Sequence, residues 1–261
     1  MKKTPQLLKI LVLVATTYAS TSALADAAKP TIVLVHGAFA GSSSWNGVIK
    51  LLQKDGYTTI AAANPLRSVK DDAASVASLV KSIKGPVVLV GHSYGGPVIS
   101  EAAYGQANIK ALVYVAAFAP DTGESAVALT GKFPGATLGP TLGAPVPLEG
   151  GGKDLYIQQD KFPAQFAADV PLAQARLMAA AQRPVTEAAL NEPATDPAWK
   201  TIPSWWIYGD KDLNIPPAAM KFMAERAKSK STVVVKGASH VVMISNPGPV
   251  ANLIEVAAKA H

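Results

Sequence analysis

The sequence predicts an α/β fold with a mostly parallel central sheet flanked by helices. Two observations carry that expectation. Short apolar, β-branched runs alternate with segments of helical spacing through most of the chain, the pattern of a parallel sheet covered on both faces. In addition, the pentapeptide Gly91-His92-Ser93-Tyr94-Gly95 stands between one such run, Pro86 to Val90, and a helix-like stretch. A sharp strand-turn-helix of that kind presents a serine outside the end of the sheet.

The elements follow in order. Thr31 to Val35 is a buried strand ending at His36-Gly37. Trp45 to Lys54 is a helix, with Trp45, Val48, Ile49 and Leu52 on one face. Tyr57 to Ala62 is a second strand, closed by Asn64-Pro65. Asp71 and Asp72 place acidic side chains at the start of a helix carrying Val76, Leu79, Val80 and Ile83. Val87 to Val90 is the strand before Ser93, Pro97 to Tyr104 lies in the helix after it, and Ala111 to Ala116 is another buried strand. Near the C-terminus, Trp205 to Tyr208 and Thr232 to Val235 repeat the strand pattern. A helix over Ala218 to Ala227 separates them and another over Pro249 to Ala260 follows.

The rhythm breaks between Phe118 and Thr201. No strand is expected there: Gly131 to Gly152 is rich in Gly and Pro, while Ala164 to Ala181 and Thr186 to Leu190 have helical character. So long an excursion inside a domain reads as an inserted lid, residues 119–201, rather than a structureless loop. Its apolar residues Phe133, Phe162, Phe166 and Met178 are candidates for lining a pocket or for packing within the lid.

Residues 1–25 read as an export signal. Lys2, Lys3 and Lys9 are basic, Ile10 to Ala15 is a short apolar core, and Ala23-Leu24-Ala25 supplies small residues for cleavage. The apolar run falls short of the roughly 20 residues that span a bilayer, so no stable membrane anchor is expected. The expectation is an exported, periplasmic or secreted protein with a single domain over 26–261. Losing those three lysines from the 24 basic residues leaves 21 against 18 acidic ones, a net charge of +3 in place of +6. There is no basic run and no basic-aromatic interleaving in the remainder, which argues against a nucleic-acid partner. With no cysteine, disulfides and thiolate metal sites are excluded. The sequence specifies no oligomeric state.

A serine hydroxyl is a weak nucleophile unless a base takes its proton and a third group orients that base. There are four histidines. His92 sits inside the turn with its side chain directed away from that of Ser93, His261 is terminal, and His36 ends the first strand. That leaves His240, in Gly237-Ala238-Ser239-His240 after the last strand. The chain order associated with this serine turn is Ser, acid, His, so the acid is sought at a strand end before His240. Gly209-Asp210-Lys211-Asp212 offers two candidates. Asp212 is preferred because it lies further into the loop and can curl toward the imidazole; Asp210 is then an ordinary turn residue. Donors for a substrate oxyanion are expected from the main-chain N–H of Tyr94, directly after the serine, and of Ala38, in the loop after the first strand.

Together VLVHGAF, VVLVGHSYGG, the strand-end GDKD and GASH resemble the α/β-hydrolase superfamily over essentially the whole chain after residue 25. The branch they resemble is the small serine esterases that include plant methylesterases and hydroxynitrile lyases. The resemblance implies Ser93, Asp212 and His240 as a catalytic triad, Ala38 and Tyr94 as the oxyanion hole, and Phe118 to Thr201 as a lid over an acyl pocket. Hydroxynitrile lyases of this branch carry a lysine directly after the histidine, where this chain has Val241, and that departure speaks against cyanohydrin cleavage.

The expected activity is hydrolysis of a small-molecule carboxylic ester through an acyl-Ser93 intermediate. The alternatives are amide or lactone hydrolysis or acyl transfer on the same residues, and ligand binding over a vestigial triad. No metal or organic cofactor is expected: the few histidines lack ligand spacing, and no phosphate-cradling glycine loop is present.

Overall fold

The computed structural model describes residues 29–260, and the export signal expected over 1–25 lies outside that range. The chain opens with strand β1 (Thr31–Val35), a 3₁₀ turn over Ser42–Trp45 and helix α1 (Asn46–Lys54). Next come β2 (Thr59–Ala62), α2 (Val69–Ser82), β3 (Val87–His92), α3 (Gly95–Ala102) and β4 (Ile109–Val115). The excursion after β4 contains α4 (Ala126–Gly131), β5 (Val146–Pro147), β6 (Lys153–Leu155), α5 (Phe162–Phe166), α6 (Leu172–Ala181), β7 (Val185–Thr186) and α7 (Glu187–Asn191). The main sheet then resumes with β8 (Ser204–Gly209), α8 (Pro217–Arg226) and β9 (Ser231–Val235), and α9 (Val242–Ser245) and α10 (Pro247–Lys259) finish the fold.

Six strands form one sheet in the order β2-β1-β3-β4-β8-β9, with every neighbouring pair parallel. The apolar runs explain this arrangement. All six residues of β3 and of β8 are buried, as expected of central strands with helices on both faces, whereas β9 alternates between half-buried and exposed residues at an edge. Helix α2 packs on α3, and α1 packs on α10. The sequence moves outward from β1 to β2 and then returns past β1 to β3, so the strand order reverses beside β1. In open parallel sheets the crevice beyond the carboxyl ends at such a reversal is where ligands settle.

The excursion departs from the sequence reading in two respects. It holds strands where none was expected: β5, β6 and β7 make a separate three-stranded antiparallel sheet. These strands are two or three residues long, and the turn between β5 and β6 contains Gly150, Gly151 and Gly152, all at positive φ, so neither length nor β propensity marks them. The helix expected over Ala164 to Ala181 is divided into α5 and α6. The break spans 167–171: α5 stops where Ala167 leaves helical geometry at φ of −140°, and Pro171 stands at the N-terminal cap of α6. β1 has the expected bounds, and no other main-sheet strand boundary moves by more than two residues from the expected one.

Candidate active site

Ser93 occupies the turn between β3 and α3 with φ of 54°, a left-handed conformation unusual for a residue bearing a Cβ. Hydrogen bonds hold it there. The Ser93 N–H donates to the carbonyls of Val115 and Ala116, and its own carbonyl accepts from the N–H of Gly96 and of Phe118. The flanking glycine is a steric requirement, since a Cβ on Gly95 would lie 2.5 Å from the Val35 carbonyl oxygen. Helix and strand can therefore approach closely enough to lift the serine side chain off the sheet.

The predicted partners converge on that hydroxyl. His240 Nε2 lies 2.9 Å from Ser93 Oγ, and His240 Nδ1 lies 2.7 Å from Asp212 Oδ2. A carboxylate only accepts, so Nδ1 carries the imidazole proton and Nε2 is left to accept from the serine. The other Asp212 oxygen, Oδ1, accepts from the N–H groups of Asn214 and Ile215 at 2.8 and 3.0 Å. All three side chains are buried, with Ser93 the most accessible at 7 %. Asp210 is elsewhere, its carboxylate accepting the Gly237 N–H at the surface. The loops bearing Asp212 and His240 meet tightly at a residue that the sequence reading did not single out: a Cβ on Gly209 would sit 2.1 Å from the Ala238 carbonyl oxygen.

Ala38 and Tyr94 flank the serine and share a cavity of about 640 Å³ with Ser93 and His240. No acceptor among the described residues takes up either main-chain N–H. The Tyr94 side chain is turned into the protein, where its hydroxyl donates to the buried Asp72 carboxylate at 2.9 Å. Burial raises the Asp72 pKa, with hydrogen bonds from Arg67 and Tyr94 working in the opposite direction. The acidic residue expected only to open a helix thus also anchors the residue after the serine.

Two of the three histidines set aside in the sequence, His92 and His36, brace the site. His92 Nε2 donates to the His240 carbonyl at 3.1 Å, and the rings are 4.8 Å apart. Burial, with His240 nearby, drives the His92 pKa well down. His36 Nδ1 donates to the Gly37 carbonyl, and its Nε2 accepts from the Asn64 N–H and from Arg183. Burial foremost, with the Arg183 charge adding to it, lowers the His36 pKa to about 4. Both rings are therefore neutral at neutral pH. Neither role was legible, because the partners are brought together by the fold.

The excursion supplies much of the cavity wall through Val127, Leu138, Leu142, Leu155, Phe166 and Leu190, with Glu187 and Asn191 as polar members. Of the four apolar candidates, Phe166 lines this cavity and stands edge-on to His240 at 5.0 Å. Phe162 is fully buried against Phe166, Phe133 packs on Phe222, and Met178 lines a separate depression beside α6. The excursion also grips the site loops by polar contacts. Gln165 exchanges hydrogen bonds with Asn214, Asp169 accepts from Ser239, and Arg183 reaches His36. Among the described residues no group of three or more His, Asp or Glu side chains is arranged to hold a metal ion, and no helix is long and apolar enough to cross a membrane.

A family model described as "Alpha/beta hydrolase family" matches residues 32–253. The chain is 28% identical over 249 residues to alpha/beta hydrolase nvfD of Aspergillus novofumigatus, covering 88% of this chain and 97% of that one. It is 25% identical over 253 residues to salicylic acid-binding protein 2 of Nicotiana tabacum, covering 87% and 96%. Among solved structures, polyneuridine aldehyde esterase superposes with a TM-score of 0.75 at 20% identity, over 88% of this chain and 99% of that one.

Proposed function

The chain belongs to the alpha/beta hydrolase family, and on that premise we propose that it is a serine hydrolase of carboxylic esters, with Ser93, His240 and Asp212 as its catalytic residues. The observation that carries this reading is the unbroken chain of short contacts from Ser93 Oγ through the His240 ring to Asp212. Ser93 Oγ attacks the ester carbonyl carbon as His240 Nε2 takes its proton. The carbonyl oxygen becomes an oxyanion held by the N–H groups of Ala38 and Tyr94, donors each worth roughly 3 kcal/mol to the transition state. His240 then passes the proton to the departing alkoxide, leaving an acyl-Ser93 ester. A water deprotonated by His240 adds to that ester and the acid leaves, with the proton returned to Ser93. Asp212 keeps its bond to Nδ1 and stabilises the imidazolium without itself taking the proton.

The cavity favours neutral substrates with apolar acyl or alkyl groups, since aliphatic side chains dominate its wall and its acidic member, Glu187, disfavours an anion. A place outside the cytoplasm belongs to the same proposal; it rests on Lys2, Lys3 and the apolar core from Ile10 to Ala15, and N-terminal sequencing of exported protein checks it. Hydrolysis of a p-nitrophenyl ester series by the wild type and by Ser93→Ala tests the activity. A serine-dependent burst followed by steady turnover supports it. Ligand binding without serine-dependent turnover on any chain length overturns it in favour of a binding protein.

A further inference from the structure

Ala38 is the second expected oxyanion donor, and its N–H direction depends on a short loop in an unusual conformation. Phe39, the next residue, has φ of 58° without being glycine. Such a backbone persists only where its surroundings over-determine it. Two contacts from one residue do so. The Arg183 main-chain oxygen accepts the Phe39 N–H at 3.0 Å, and the Arg183 guanidinium lies 3.0 Å from His36 Nε2. Arg183 thus grips the loop on both sides of Ala38, two residues before it and one after.

The grip is itself firmly mounted. Gln182, next to Arg183, bonds through its side chain to both the N–H and the carbonyl of Ile157. On the other side, the Pro184 carbonyl accepts from Arg67, and Thr186 donates to the carbonyls of Leu66 and Arg67. The segment 182–186 is therefore pinned to the excursion's small sheet and to the main domain at once. His36 also has its own support in Asn64, whose N–H reaches Nε2 and whose side-chain amide reaches the His36 carbonyl.

We propose that Arg183 is a positioning residue for ester hydrolysis, setting the direction of the Ala38 N–H through its contacts with His36 and Phe39. This rests on the esterase reading above. Its consequence is that the excursion takes part in transition-state stabilisation as well as in shaping the pocket. When the guanidinium is removed, Asn64 keeps hold of His36 and the Arg183 main-chain oxygen keeps the Phe39 N–H, so the fold survives and only the alignment of the loop on its His36 side relaxes.

Arg183→Met and Arg183→Lys test the assignment, compared with the wild type on p-nitrophenyl butyrate. Three further readouts accompany turnover: the affinity of an alkyl trifluoromethyl ketone, whose Ser93 adduct places an oxyanion between Ala38 and Tyr94; the Kd of phenyl butyrate in the Ser93→Ala background; and the melting midpoint. The expected result for Arg183→Met is a fall in kcat of about tenfold to a hundredfold. The ketone affinity falls in parallel, the ground-state Kd stays within about twofold, and lysine recovers part of the loss by donating one bond to His36. Unchanged kcat overturns the proposal, as does a loss of kcat without the parallel loss of ketone affinity. So does a fall of ground-state binding and melting midpoint along with kcat, which marks a merely structural residue. If the wild type itself shows no Ser93-dependent turnover, the functional reading has failed, which is distinguishable from these outcomes.

Discussion

Asp212 divides its carboxylate between His240 and its own loop: Oδ2 meets His240 Nδ1 at 2.7 Å while Oδ1 accepts from the N–H groups of Asn214 and Ile215. The two loop amides hold the plane of the carboxylate, so its remaining oxygen is aimed at the imidazole. This arrangement also explains why the acid is two residues beyond Asp210. The loop has to turn back on itself before a side chain can face the histidine.

Asp212→Asn is expected to lower kcat by about four orders of magnitude, because an amide NH₂ turned toward Nδ1 favours the wrong tautomer. Asp210→Asn keeps an oxygen for the Gly237 N–H and stays within about twofold of the wild type. Steady-state kinetics on one ester suffice, and the opposite ranking would exchange the two assignments.

Tyr94→Phe separates main chain from side chain at a single residue. The N–H proposed as an oxyanion donor is retained, so kcat should stay within about threefold. The hydroxyl that serves the buried Asp72 is lost, and stability should fall by about 1–3 kcal/mol. Urea unfolding alongside turnover measures both; a large kcat loss at unchanged stability would contradict the division.

His36 and His92 make the fold acid-sensitive. The His36 pKa lies near 4 in the folded protein against an ordinary 6.5, and that of His92 is also depressed. Between those values the unfolded chain binds a proton that the folded one does not. The contribution of the two histidines is therefore complete above about pH 6.5, declines as the pH falls toward 4, and changes little through His36 below that. The His36 share is about 3 kcal/mol. Urea midpoints at several values between pH 7.5 and pH 4.5 should show the decline, and His36→Gln should make it shallower.

Leu138 belongs to the excursion and lines the cavity. Leu138→Trp fills part of that volume and should lower kcat/KM for p-nitrophenyl octanoate about tenfold more than for the acetate. An equal effect on both esters would mean that the acyl chain lies elsewhere.

The main sheet was legible because its strands are continuous apolar runs and its helices keep an apolar face. Burial on both sides of β3 and β8 writes itself directly into composition. The excursion was less so. Strands such as Val146–Pro147 are too short to show a period, and their pairing with β6 depends on a glycine-rich turn. Phe162 and Phe166 look alike in sequence, yet one packs beneath and the other faces His240.

The sheet, the serine turn and the few side chains available to serve it are written locally in the chain, as short patterns or as chain order. How the remaining groups are used depends on packing between distant elements. Arg183 and His36 are 147 residues apart, and Asp72 and Tyr94 are 22 apart. Hydrogen bonds and a cavity wall depend on where whole elements pack against one another, and no spacing within a segment encodes that.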